Sequence, residues 1–396
     1  MFFQISKTSQ DNFPHNHKIK NFVVSLDEGW THVQDFHGND IWYKGYVDDA
    51  PLRWFAVRIS TEQEPQYTGN FCVIKVTDNN VIIRSDKSRS FPLWYDPIQG
   101  LTNLRNIGET IWSDCLVTVN QDLILTRSYF DAVGALSDVE LSFDAVVDQV
   151  DEILKRKVIE FLEYRESPIK VFLSGGVDTA LVFAYLNKYT DDYELVLNSH
   201  VDYDYFYLKN HGHLSNLWGY TQIHHWYDQC YLTSGAPGDE FTVRSPATAN
   251  FLLLAHGTSI PKLLADPKYA DCLHYNYFNQ QKYLDSWTAQ EQQYINDKSS
   301  WIDTLKLCCN YNVNDWQHWH LGRTLTWTPL RDLEIFKLIA SLPIEDLKDQ
   351  VMNSAVQLAL IKRHNPKILE YISKQKNSLN FMENLTKLLG QVDRLD

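Results

Sequence analysis

Long apolar runs are missing from this chain, and its first residues carry no charged segment followed by an apolar one. A membrane-spanning helix needs about 20 consecutive apolar residues, and a secretory leader needs the charge-then-apolar order. The expectation is a cytoplasmic protein with no membrane partner. Cysteine is sparse and poorly spaced: Cys72, Cys115, Cys230, Cys272, Cys308 and Cys309 include no Cys-X-X-Cys, and the adjacent Cys308 and Cys309 cannot easily bridge each other. That spacing argues against a zinc site and against a disulfide scaffold. Positive charge is also short. Lys and Arg number 36 against 50 Asp and Glu, a net charge of −14. Such a balance disfavours broad binding to nucleic acid or anionic lipid, though it leaves room for one local basic patch.

What is present is an ordinary globular mixture, 44% hydrophobic and 22% charged. A chain of 396 residues is long enough for two or three domains and a substantial core. Aromatic residues are frequent at 13%, and packing in cores and interfaces accounts for most of them. Over residues 1–135, short apolar runs alternate with turn residues: Phe22-Val23-Val24, Trp54-Phe55-Ala56-Val57, Phe71-Cys72-Val73-Ile74, Val81-Ile82-Ile83 and Leu123-Ile124-Leu125. These read as strands of a mainly β domain, with Asp78-Asn79-Asn80 as a hairpin turn. Residues 136–169 then read as helical, with Ala145, Val146, Val150, Ile153, Leu154, Val158 and Phe161 at helical spacing.

Mid-chain, Val171-Phe172-Leu173 is a short apolar run that reads as a buried strand. Ser174-Gly175-Gly176 and Val177-Asp178-Thr179 follow. Ala180 to Leu186 then form the apolar face of a helix that Thr179 helps to start. A strand, a small-residue turn and a helix N-terminus together make an anion site, because glycines let the backbone approach a ligand and free N–H groups point at it. A lone carboxylate such as Asp178 beside bound phosphates is best explained by Mg²⁺ between them. This is not a Walker loop, since no Gly-Lys-Ser/Thr follows a four-residue gap. The bland alternative is an ordinary strand–helix turn.

Downstream, Tyr193-Glu194-Leu195-Val196-Leu197-Asn198 reads as a second buried strand, residues 208–218 as a helix and residues 221–225 as a third strand. Alternating strands and helices predict a doubly wound parallel sheet, with ligands beyond the carboxyl ends of its strands. His224 and His225 would point to opposite faces of a strand, so they do not easily share one ion. Tyr231-Leu232-Thr233 then runs into Ser234-Gly235-Ala236-Pro237-Gly238-Asp239-Glu240, a second small-residue loop bearing carboxylates. Asp178 and Asp239, on two loops at one sheet edge, would hold Mg²⁺ on the β- and γ-phosphates together. Residues 246–256, 279–297 and 355–361 read as helices. Trp316, Trp319 and Trp327 are assigned to core packing ahead of a pocket.

In chain order, these motifs resemble those of the asparagine synthetases and the β-lactam synthetases, members of the N-type ATP pyrophosphatases. Ser174 to Thr179 stands where that family has Ser-Gly-Gly-X-Asp-Ser, with threonine keeping the last hydroxyl. The loop from Ser234 to Glu240 is similar to its Leu-Ser-Gly-X-Gly-X-Asp-Glu, with the second glycine moved next to the acid. Thr328-Pro329-Leu330-Arg331-Asp332, then Ser341-Leu342-Pro343, resembles its Pro-Phe-Leu-Asp segment and the helix ending in Ser-Leu-Pro. Gln375-Lys376 stands for the lysine of its Arg-Gln-Lys, with Lys374 as the neighbouring candidate. In the N-terminal third, Gly69-Asn70-Phe71, Asp86 and Pro92-Leu93-Trp94-Tyr95 look like the glutaminase domain of the glutamine-dependent members. Ser85 and Arg89 depart from that pattern, and Lys44-Gly45-Tyr46 lacks the polar groups of the glutamine-binding segment. The nucleophilic N-terminal cysteine of those glutaminases is missing as well: position 2 is Phe2, and no cysteine precedes Cys72. β-Lactam synthetases also lack it.

The resemblance spans roughly residues 67–380 and implies an α/β fold class in two parts. Residues 1–135 would be a degenerate class II glutamine amidotransferase-like domain, mainly β in the Ntn-glutaminase-like α+β manner. Residues 136–396 would be a doubly wound parallel-sheet ATP pyrophosphatase domain with a helical C-terminal part. The implied activity is that of an ATP-dependent ligase that adenylates a small-molecule carboxylic acid and transfers it to ammonia or an amine, without hydrolysing glutamine. Implied contacts to ATP are Leu173, Ser174, Gly175, Gly176, Val177, Asp178, Thr179, Asn198, Ser199, Ser234, Gly235 and Gly238. Asp178 and Asp239 would be the Mg²⁺ ligands and, with Lys376, the catalytic residues. No nucleic-acid partner is implied, and a homo-oligomer stays open. Two alternatives also stay open: an intramolecular cyclisation like that of β-lactam synthetase, and a chain that has lost its chemistry and serves as a nucleotide-binding or scaffolding protein.

Overall fold

The computed structural model describes residues 3–10, 13–19, 21–47, 51–61, 67–86, 93–98, 100–102, 109–111, 116–127, 137, 139–165, 167–172, 176–196, 230–233, 235, 238–243 and 325–372. These residues form a mixed α/β structure, antiparallel in its N-terminal region. Twelve strands come first: β1 (Phe3–Ser6), β2 (His15–Ile19), β3 (Phe22–Leu26), β4 (Thr31–Gln34), β5 (Asp40–Val47), β6 (Gly69–Val76), β7 (Asn80–Ser85), β8 (Leu93–Asp96), β9 (Gly100–Thr102), β10 (Glu109–Ile111), β11 (Leu116–Asn120) and β12 (Leu125–Arg127). They pair in two six-stranded sheets, ordered β10-β8-β9-β1-β3-β2 and β12-β11-β7-β6-β5-β4. Phe3, Ile5, Phe22 and Val24 of the first sheet share one core with Trp42, Cys72, Ile74, Ile83 and Val117 of the second. Alternation along β6 turns Phe71 and Val73 to the opposite face, where they pack with Leu52, Ala56 and Ile59.

Two strand expectations fail here. Trp54 to Val57 is helical, split between a 3₁₀ turn (Leu52–Trp54) and α1 (Ala56–Ile59). Its buried residues Leu52, Ala56 and Ile59 follow a spacing of three to four, and Trp54 is exposed. Leu123 and Ile124 belong to a turn, with Leu123 at φ 64, and β12 begins only at Leu125. The hairpin turn between β6 and β7 is present, closed by the Thr77 amide donating to the Asn80 carbonyl at 2.8 Å.

α2 (Phe143–Tyr164) starts at Ser142, whose side chain accepts from the Ala145 amide. It buries Val146, Val147, Val150, Leu154, Val158 and Phe161 at helical spacing. Four parallel strands follow: β13 (Ile169–Phe172), β14 (Glu194–Val196), β15 (Tyr231–Thr233) and β16 (Leu325–Trp327), in the order β14-β13-β15-β16. α3 (Val177–Tyr189) connects β13 to β14. Among the described residues β14 pairs on one side only, with β13, and Leu195 is half-buried. The expected strand at residues 221–225 and the helices at 208–218, 246–256 and 279–297 lie outside the described residues, as do Trp316 and Trp319. Trp327 is core, stacked on Phe161 with ring centroids 3.8 Å apart and planes 9° from parallel. Tyr231 meets Phe161 edge-on at 5.0 Å, and Tyr46 of β5 lies 6.0 Å from Tyr231, joining the antiparallel region to the parallel sheet.

The C-terminal part is helical: α4 (Gly238–Phe241) after β15, then α5 (Leu333–Ala340), α6 (Ile344–Asn353), α7 (Ala355–His364) and α8 (Pro366–Ile372). Asp332 caps α5, accepting from the Glu334 amide at 2.7 Å, and its other oxygen meets buried Lys157 of α2 at 3.1 Å. α7 packs along α3. At one end of that pair, Asp151 of α2 gathers the Tyr185 hydroxyl at 2.6 Å, His364 Nε2 at 2.6 Å and the Arg363 guanidinium at 2.9 Å.

Burial alone would raise the Asp151 pKa. Hydrogen bonds from Tyr185, Arg363 and His364 outweigh it and hold the carboxyl below its ordinary value. A depressed folded-state pKa contributes stability above the unfolded value, and this is lost as pH falls through the folded one. Asp151→Asn should lower stability at neutral pH by about 1–3 kcal/mol and flatten the loss between about pH 5 and pH 3. Urea denaturation across that range measures both effects.

Candidate active site

The strand order reverses between β13 and β15, since β14 lies on one side of β13 and β15 on the other. In open parallel sheets the crevice at such a reversal, beyond the carboxyl ends of the strands, is where ligands bind. The segments leaving these two ends carry the two glycine motifs. α3 begins at Val177, with extended Gly176 as its N-cap, and the Ala180 amide donates to the Gly176 carbonyl at 3.1 Å. The cap is therefore Gly176 and not Thr179, which lies inside the first turn. Val177, Asp178 and Thr179 are all buried, and the positive end of the helix dipole favours a carboxylate at Asp178.

The second turn lies directly on this helix start. A β-carbon at Gly235 would overlap the Thr179 backbone nitrogen and sit 2.6 Å from Asp178 Cβ. One at Gly238 would sit 2.7 Å from Asp178 Cγ and 2.9 Å from Leu330 Cδ1. Glycine is required at both positions because the backbone runs against Asp178 with no room for a side chain. The Gly238 amide closes the turn on the Gly235 carbonyl at 2.7 Å. Leu330, from the segment after β16, adds a third sheet-edge element to the cluster.

Behind Asp178 is a buried polar network that sequence reasoning missed. Gln357 of α7 donates from Nε2 to Asp178 Oδ1 at 3.2 Å and to Thr242 Oγ1 at 2.6 Å. Its Oε1 accepts from Gln350 Nε2 of α6 at 2.8 Å. Gln350 also donates to the Thr242 carbonyl at 2.6 Å, and its Oε1 accepts from the Val356 amide at 2.8 Å. The Thr242 hydroxyl donates to the Gly238 carbonyl at 2.6 Å. Both glutamines are fully enclosed. The signal for them was a polar residue on an apolar stripe: Gln357 shares its face with Leu360 and Ile361, and Gln350 shares its face with Leu347 and Val351. Ser354, in the left-handed region at φ 58, makes the corner between α6 and α7 that lets the two amides meet.

Of the expected site residues, Gly176, Val177, Asp178, Thr179, Gly235 and Gly238 are brought together. Leu173, Ser174, Gly175, Asn198, Ser199, Ser234, Lys374 and Lys376 lie outside the described residues. Asp239 lies in the first turn of α4, and its side chain is outside the description. In the antiparallel region, Asp86 is fully buried and accepts from the Phe71 amide at 3.3 Å. Burial, reinforced by Asp86, pushes the enclosed Cys72 thiol well above its usual range. Cys72 is therefore held as the thiol, and the thiolate is the reactive form.

No protein-family model matches the chain, and no curated protein matches it. The described residues can still be tested against Mg²⁺ and a polyphosphate. Among them, no group of three or more His, Cys, Asp and Glu side chains is arranged to hold a metal by itself. Mg²⁺ bound together with phosphates takes only one or two protein carboxylates, so a helix-start Asp178 beside two bare glycines suits it. The Thr233 hydroxyl, enclosed at the end of β15, has no hydrogen-bond partner among the described residues. Gly238→Ala should destabilise the protein by about 1–3 kcal/mol through overpacking against Asp178, measured by urea denaturation. Unchanged stability would show that the turn and the helix start do not touch.

Proposed function

We propose that this protein is an ATP-dependent amide-forming synthetase of the asparagine synthetase kind, with a doubly wound ATP pyrophosphatase domain. One observation carries the reading: Gly235 and Gly238 of one turn lie directly against the buried Asp178 at the start of α3, beyond the carboxyl end of a parallel strand and where the strand order reverses. The substrate carboxylate attacks the α-phosphorus of ATP, forming an acyl-adenylate and releasing pyrophosphate. Ammonia or an amine then attacks the acyl carbon, giving the amide, AMP and a proton.

The chain's own groups take separate parts in this. The amides at the start of α3 would receive the polyphosphate with backbone donors, beside the turn that brings Gly235 and Gly238 against Asp178. Asp178, with Asp239, would hold Mg²⁺, which offsets the charge on the phosphates when bound. Lys376 supplies positive charge to the departing pyrophosphate. In this reading nitrogen would arrive as ammonia or an amine, and Cys72, sealed in a core, takes no part.

Exchange of labelled pyrophosphate into ATP, run against a panel of carboxylic acids, tests the proposal. The expected outcome is exchange that depends on one class of acid and on Mg²⁺. Asp178→Asn keeps an acceptor for Gln357 and should lower exchange by about a hundredfold or more with little change in melting temperature. Nucleotide binding without exchange for any acid would instead indicate a binding or scaffolding protein.

A further inference from the structure

Gln357 is an uncharged residue at a costly position. Burying an amide on an apolar helix face is unfavourable unless every donor and acceptor is met, and an aliphatic side chain would continue the stripe of Val356, Leu360 and Ile361 without that requirement. The network does meet every requirement. Both Gln357 N–H groups are used, on Asp178 and Thr242, and its oxygen is used by Gln350. The remaining contacts are to main chain: the Thr242 and Gly238 carbonyls and the Val356 amide. Among the described residues, the one ionisable group that these hydrogen bonds reach is Asp178. The same network reaches the Gly238 carbonyl through Thr242 and so holds the glycine turn as well as the carboxylate. A neutral amide can set the orientation of a carboxylate while adding no positive charge that would compete with a cation.

We infer that Gln357 is a positioning residue for Asp178, orienting its carboxylate for a divalent cation that enters with a polyphosphate. This rests on the proposed function. Partners that orient a metal-ligating carboxylate typically change metal affinity by about 10–100-fold when removed. α3 and α7 supply the rigid frame, because Tyr185 and His364, each seven positions beyond Asp178 and Gln357, meet on Asp151 at the far end of the pair.

The test is calorimetric binding of an ATP analogue with a methylene between its α- and β-phosphorus, across a range of Mg²⁺ concentrations and in its absence. Gln357→Met should raise the Mg²⁺ concentration for half-maximal tight binding about tenfold, a larger loss than the one in metal-free binding. Tyr185→Phe, which loosens the opposite end of the same helices, should lower the melting temperature without moving the Mg²⁺ dependence. A Gln357→Met protein with wild-type Mg²⁺ dependence, or an equal shift in Tyr185→Phe, overturns the inference and leaves the proposed function standing. Absence of Mg²⁺-dependent analogue binding in the wild type overturns both. If Gln357→Met does not fold, Thr242→Val decides: a shift of about threefold in the same direction supports the inference, and no shift overturns it.

Discussion

The meeting of Asp178 with two glycines from another part of the chain is the contact on which the parallel-sheet half depends. A helix can begin beside a strand end in many ways. Here its second residue is enclosed between the backbone of Gly235 and Gly238 and the amide of Gln357. No side chain fits between them, so the turn cannot move away from the helix start without opening a void. Because the carboxylate has a hydrogen-bonded partner, burying it does not carry the penalty of an isolated charge. Packing and polar satisfaction therefore agree on one arrangement, which is the condition for a site held to within a fraction of an ångström.

That arrangement is braced from two sides. Along α3 and α7, polar clasps stand two helical turns apart, Asp178 with Gln357 and Asp151 with Tyr185 and His364. Beneath the sheet, α2 lays Phe161 flat on Trp327 and edge-on to Tyr231, which brings the last residue of β16 and the first of β15 against one ring. Aromatic pairs of this kind add about 0.5–1.5 kcal/mol beyond area burial, and they fix the relative height of the two strands. Tyr46 reaches the same cluster from β5. At this strand end Lys44, next to Gly45, is buried against Asp27.

Much of the local structure was legible in the chain. α2, α3 and α7 follow the spacing of their apolar residues, β13 follows its short apolar run, and the β6–β7 hairpin follows its Asp-Asn-Asn turn. Trp54 to Val57 was misread because four residues are too few to separate period 2 from period 3.6, and the proline before Leu52 favours a helical turn. Thr179 was misread as a cap because hydroxyls commonly cap helices, whereas an extended glycine one residue ahead of Val177 does so here.

The order of residues along the chain was enough to set α2, α3, α7, β13 and the two glycine motifs, since each depends on neighbours within a few positions. The two glycine motifs were expected at one sheet edge; the direct contact of Gly235 and Gly238 with Asp178, the reversal of strand order between β13 and β15, and the contacts of Gln350, Gln357 and Thr242 came from three-dimensional packing. Gln357 lies 179 positions from Asp178 and 115 from Thr242. A hydrogen bond across that distance leaves no periodic trace. It exists because two helices and a turn are pressed together by the apolar surface around them, and the buried polar groups of these elements satisfy one another.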